Sequence, residues 1–87
     1  SLSVVHRGTI NQSIAHPRDI FQRAILSNAT RIFIAHNHPS GNPQPSENDY
    51  LFTEKIKQAG ELLGIELLDH LVVTSNSYYS FREEGKL

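Results

Sequence analysis

The chain has 87 residues, 38% of them apolar, enough for one domain around one modest core. Nine acidic against eight basic residues leave a formal charge of −1, with the basic residues scattered, so composition provides no electrostatic footprint for nucleic acid. The absence of cysteine excludes disulfides and thiolate metal sites and leaves His, Asp and Glu as the available metal ligands.

Residues 2–7 (LSVVHR) read as a strand ended by Gly8. Pro17 suits the first position of a helix, and Ile20, Phe21, Ala24 and Ile25 recur at helical spacing. That helix is expected over about 17–27, stopping near Asn28. Residues 31–35 (RIFIA) form a short continuous apolar run, the pattern of a strand covered on both faces. After a polar loop, Ser46 and Asp49 have capping-box spacing, with the acid at the third helical position. Phe52, Ile56, Ala59 and Leu63 then trace an apolar stripe, and Gly64 supplies a stop. Residues 65–74 read as a strand, "SNS" as a turn, and 78–82 as a final strand. The order β-α-β-α-β-β predicts an α/β fold: a single compact domain, 1–87, with a central mixed sheet flanked by helices. No segment approaches the ~20 apolar residues of a membrane span, none reads as a signal peptide, and a cytoplasmic location is expected.

The segment "AHNHPSGNPQPSEND", residues 35–49, concentrates the chemistry at the carboxyl end of a strand, where sites form in such sheets. In extended backbone residues i and i+2 share a face, so His36 and His38 aim at one point while Asn37 faces away. Asp49 lies on the helix side facing the sheet. Pro39, Pro43 and Pro45 reduce the freedom lost on closing the loop between them. Two imidazoles and one carboxylate make a three-ligand set with an open fourth position, the usual form of a catalytic zinc site. The positive end of the helix would favour an oxyanion forming beside the metal, and the Ser46 hydroxyl is placed to donate to it. His6 and His16 lack partners at ligand spacing and read as surface or core residues. Asp69 and His70 point to opposite faces of their strand and cannot both be ligands; His70 reads as packing, or as a support behind the ligands. The loop could also be a simple anion nest, but it lacks the lysine of a phosphate-binding loop.

The spacing His36-Asn37-His38, seven residues, Ser46-Glu47-Asn48-Asp49 resembles the JAMM (MPN+, JAB1) metalloprotease motif. The wording of the whole segment, together with "HPRDIFQRAI", "QAGELLGIELLDHLVV" and "SFREEG", is similar to the RadC family of bacterial proteins. The resemblance implies a deaminase-like JAB/MPN fold, zinc at the positions matching His36, His38 and Asp49, and assistance by Ser46 at the oxyanion. It further implies hydrolysis of peptide or isopeptide bonds in a peptide or protein substrate. JAMM enzymes use an upstream glutamate as general base, yet no Glu precedes His36, and the one acid there, Asp19, sits in the first helix turn. A chain truncated at its N-terminal side is therefore expected, an intact but inactive homologue being the other reading. A non-catalytic, metal-stabilised protein-binding module and a DNA-repair-associated factor are the alternatives in function. The sequence also allows a homodimer.

Overall fold

The computed structural model describes residues 2–4 and 16–87. Its elements are strand β1 (Leu2–Val4), helix α1 (Pro17–Leu26), strand β2 (Arg31–Asn37), helix α2 (Glu47–Leu63), strand β3 (Glu66–Val73) and strand β4 (Tyr78–Ser80). Residues 5–7 of the first expected strand, His6 among them, lie outside the described residues. The sheet is mixed, in the order β1-β2-β3-β4, with β1, β2 and β3 parallel and β4 antiparallel to β3. The α/β fold expected from the sequence is the one observed.

Both helices end by the same device. Asn28 and Gly64 adopt left-handed backbone (φ 56° and 74°), and the following N–H groups turn back onto the helix, Ala29 to the Ala24 carbonyl (2.9 Å) and Ile65 to the Gly60 carbonyl (2.8 Å). The second return is possible because residue 60 is glycine. A Cβ there would lie 2.2 Å from the Ile65 carbonyl oxygen. The chain thus enters β3 directly beneath the end of α2.

The core joins Ile20, Phe21 and Ala24 of α1 and Ile56 of α2 to alternate residues of the sheet, Ile32 and Ile34 of β2 and Leu67 of β3. Three expectations require correction. Phe33 and Ala35, on the other face of β2, are only half-buried, so among the described residues β2 is fully covered on one face. Ile25 belongs to the spacing of α1 but is exposed. The buried stripe of α2 is Asp49, Thr53, Ile56 and Gly60, one position round from Phe52, Ile56, Ala59 and Leu63. Phe52 and Ala59 pack at the margin of the core, while Leu63 is exposed. The close approach at Gly60 and the hydrogen bonds of Thr53 turn that face of the helix inward, against the order of hydropathy.

One irregularity matters for the site. Ile32 pairs with Leu67 but Phe33 pairs with Asp69, leaving Leu68 as an extra residue in β3. The bulge restarts the alternation, so Leu67, His70 and Val72 all face the helices and are buried. The Leu68 carbonyl accepts from the Arg82 Nε–H, and Asp69, on the other side, accepts from the backbone N–H groups of His70 (2.7 Å) and Arg82 (3.0 Å) and from the Ser80 hydroxyl (2.5 Å). Among the described residues no helix is long and apolar enough to cross a membrane.

Candidate metal centre

β2 runs two residues further than its apolar run suggests, to Asn37, and its ladder continues as the His38 N–H donates to the Val73 carbonyl (3.0 Å). The extended backbone puts His36 and His38 on one side, their ring centroids 5.0 Å apart, with Asn37 exposed on the other. His36 is buried and His38 half-buried. A loop bound to itself follows: Gly41 N–H to the His38 carbonyl (3.1 Å), Asn42 N–H to Ser40 Oγ (3.3 Å) and Gln44 N–H to Asn42 Oδ1 (3.0 Å). It delivers Ser46 as the N-cap of α2.

The capping box at that helix start is complete. The Asp49 N–H donates to Ser46 Oγ (3.1 Å), and the Ser46 N–H donates to Asp49 Oδ2 (2.8 Å). The box holds the carboxylate, 1% exposed, with Oδ1 at 3.5 Å from His36 Nε2 and Oδ2 at 3.2 Å from His38 Nε2. Ligand atoms of the three residues lie within 4.8 Å of one another. The structure therefore brings His36, His38 and Asp49 together. Ser46 stands beside them, exposed, and because its oxygen is the acceptor in the cap, its hydroxyl proton is not consumed by it.

The hydrogen bonds decide which faces of the imidazoles look inward. His38 Nδ1 lies 3.0 Å from the Asn42 carbonyl, which can only accept, so Nδ1 carries a proton and Nε2 is the ring atom turned to Asp49. His36 Nδ1 contacts His70 Nε2 at 2.9 Å. Burial lowers the His36 imidazole below its ordinary value, with the Asp49 carboxylate opposing this and His38 reinforcing it. Burial pushes His70 down to about 3, and His36 acts in the same direction. For the Asp49 carboxyl, burial acts upward, but the Ser46 N–H, the two imidazoles and the Ser46 hydroxyl outweigh it and hold the group below its usual value. The result is an ionised carboxylate facing the two imidazoles. His36 Nε2 and Asp49 Oδ1 are both buried and both without a hydrogen-bond partner. Two buried polar atoms left without partners, one of them an oxygen of an ionised carboxylate, are costly, and a cation between them would satisfy both. A divalent metal fits this donor set, and the residue types fit zinc.

The remaining candidates fall elsewhere. His16 is exposed at the start of α1 and makes no side-chain cap. Asp19 is exposed in the same first turn. Asp69 and His70 do face opposite sides, and His70, buried completely, lies directly behind His36. Thr53 was not legible as a site residue, although it lies one helical turn after Asp49 on the same stripe. Its hydroxyl touches the Asp49 carbonyl (2.7 Å) and His70 Nδ1 (2.5 Å).

Comparison with known proteins shows the family. The model of the RadC-like JAB domain matches residues 1–86. A UPF0758 protein of Thermotoga maritima is 55% identical over 80 residues, covering 92% of this chain and 36% of that protein. One from Enterococcus faecalis is 51% identical over 81 residues, 93% of this chain and 35% of its own length. A third, from Streptococcus suis, is 55% identical over 85 residues, 98% of this chain and 35% of its own. The chain thus spans about a third of the length of these relatives, and within that span it is a RadC-like JAB domain and belongs to the RadC family.

Proposed function

We propose that this domain is the zinc-binding part of a hydrolase acting on peptide or isopeptide bonds. The observation that carries the reading is the pair of buried, unpartnered polar atoms, His36 Nε2 and Asp49 Oδ1, converging with His38 Nε2. His36, His38 and Asp49 would hold the ion, leaving the open position of a catalytic site. Bound there, zinc would supply Lewis acidity toward a water and toward a substrate carbonyl.

The chain's own groups complete part of the machinery. Asp49 offsets the positive end of α2, which would otherwise disfavour a cation. The Ser46 hydroxyl stands beside the site, and turning from the Asp49 carboxylate it would donate to an oxyanion forming there. The cluster holds one carboxylate, Asp49, and its two oxygens face the imidazoles and the Ser46 N–H, so it is not free to take a proton from water. The general base is proposed to come from a segment like those by which the relatives extend beyond the matched span, and the substrate to be a peptide or protein whose carbonyl meets this site. Balanced charge argues against a nucleic-acid substrate.

Zinc titration by competition with a chromophoric chelator tests the site: wild type and His16→Ala should bind alike, and His38→Ala should lose binding. Turnover of a peptide panel tests the chemistry. The longer protein should exceed the 87-residue domain by the ~10²–10⁴-fold that a positioned base contributes, and His38→Ala should erase the difference. Zinc binding without turnover in the longer protein would turn the reading to a metal-stabilised binding module.

A further inference from the structure

Behind the ligands, four groups form one line: the Asp49 carbonyl, the Thr53 hydroxyl, the His70 ring and the His36 ring, with successive contacts of 2.7, 2.5 and 2.9 Å. Hydrogen-bond counting gives this line a single direction. The Asp49 carbonyl can only accept, so the one hydroxyl proton of Thr53 is donated to it. The Thr53 oxygen must then accept at its other contact, which puts a proton on His70 Nδ1. A neutral His70 so protonated has a lone pair on Nε2, and it accepts from His36 Nδ1–H. His36 is left with the lone pair on Nε2, the atom that faces Asp49 Oδ1.

We propose that Thr53 and His70 are positioning residues that fix the tautomer of His36, so that its Nε2 lone pair is presented to the metal position. The assignment rests on the zinc reading above and adds to it the residues that make the ligand competent before any metal arrives. The fold locks the line at both ends. The Asp49 carbonyl belongs to the first turn of α2, and the Thr53 bond to it is an ordinary helical i to i−4 contact. The His70 ring is stacked on Phe81 with centroids 4.7 Å apart and planes 5° from parallel, and both residues are almost completely buried. The stack fixes the plane of the ring, and the contacts of its two nitrogens with Thr53 and His36 fix which way round it lies in that plane. The same helix therefore supplies the Asp49 carboxylate from its side chain and, through its backbone, the acceptor that orients the opposite ligand.

Thr53→Val is the discriminating variant, because it keeps the shape and removes the hydroxyl. Without that acceptor, the His70 Nδ1–H is buried unpaired, and moving the proton to Nε2 relieves this. His36 must then accept at Nδ1 and carry its proton on Nε2, where it blocks the ligand lone pair. Long-range ¹H–¹⁵N spectra of metal-free, histidine-labelled protein read these tautomers directly. In wild type and in Thr53→Ser, both His36 and His70 should be protonated on Nδ1; in Thr53→Val, both should be protonated on Nε2. Zinc affinity should fall about 10–100-fold in Thr53→Val, the usual cost of losing an orienting partner, and be retained in Thr53→Ser. His70→Gln, whose amide oxygen reaches the place of Nε2, should also retain it. A wild-type His36 protonated on Nε2, or a Thr53→Val that keeps the wild-type tautomers, would overturn the relay whatever its zinc affinity, while zinc binding by wild type would still uphold the metal site. Switched tautomers with unchanged zinc affinity would overturn it as well. A wild type that binds no zinc would sink the metal reading and this assignment together.

Discussion

Two aspartates occupy the same place in two helices. Asp19 and Asp49 are each the third residue of their helix, each following an N-cap with extended backbone. Asp19 is exposed; Asp49 is 1% exposed. The difference lies in the residue before the helix. His16 has no short side-chain oxygen to cap α1, whereas Ser46 caps α2 and its own N–H takes Asp49 Oδ2. A reciprocal box folds the carboxylate back toward the chain that precedes the helix, and here that chain has just left β2 with two imidazoles on one face. Position within a helix therefore does not make an acid functional; what it is folded back upon does.

The largest test of that comparison is removal of each acid. Asp49→Ala should abolish zinc binding, a loss beyond the 10–100-fold typical of an orienting partner, whereas Asp19→Ala should leave it unchanged. Equal losses would show that both act through the helix dipole. Acid stability of the metal-free protein probes the same end of the molecule. His70 is faced by His36, His38 and Asp49 and has a folded-state pKa of about 3 against 6.5 in the unfolded chain. The unfolded chain thus binds the extra proton first. His70's contribution to stability should be complete above pH 6.5 and be lost as pH falls toward 3, by on the order of several kcal/mol. Denaturant melts across that range should show the slope, and His70→Gln should flatten it. An unchanged slope would mean that other groups carry the acid sensitivity.

Smaller effects separate the caps from the charge. Asp49→Asn lets an amide N–H reach His36 Nε2 while the amide oxygen keeps the Ser46 N–H. The metal-free protein should gain up to about 1 kcal/mol even as zinc binding is lost. A clear loss of stability would show that the facing acceptors were not a burden. Ser46→Ala should cost about 1 kcal/mol, and the reverse graft, His16→Ser, should stabilise α1 by several tenths, both read from denaturant midpoints. A silent Ser46→Ala would mean the cap is not what holds Asp49 in place.

What was legible in the sequence was local. The box Ser46-Asp49, the alternation His36-Asn37-His38 and the helix stops at Asn28 and Gly64 depend on a few consecutive residues, and each is found where its chemistry places it. The contacts that required distant partners were not legible. Nothing near Thr53 announces that a threonine and a glycine, rather than Phe52 and Leu63, will face the sheet; that choice is made by His70, on β3, and by the Ile65 carbonyl, in the turn that leads into β3. His70 was ambiguous for a related reason, since which face it takes depends on Leu68 standing out of register.

That extra residue has the character of a latch against sliding. Were the bulge ironed out, β3 would shift by one step against β2, Leu71 and Val73 would turn inward in place of Val72, and the aliphatic side of the exchange would be nearly even. The polar side would not. Asp69 would come inward and His70 would turn away, stranding a carboxylate in the core and leaving His36 without its acceptor. Arg82, on the Leu68 carbonyl, and Ser80, on Asp69, weigh against that slip from the far edge of the sheet. Two residues that never approach the ligands thereby help to keep an imidazole, and not an acid, behind His36.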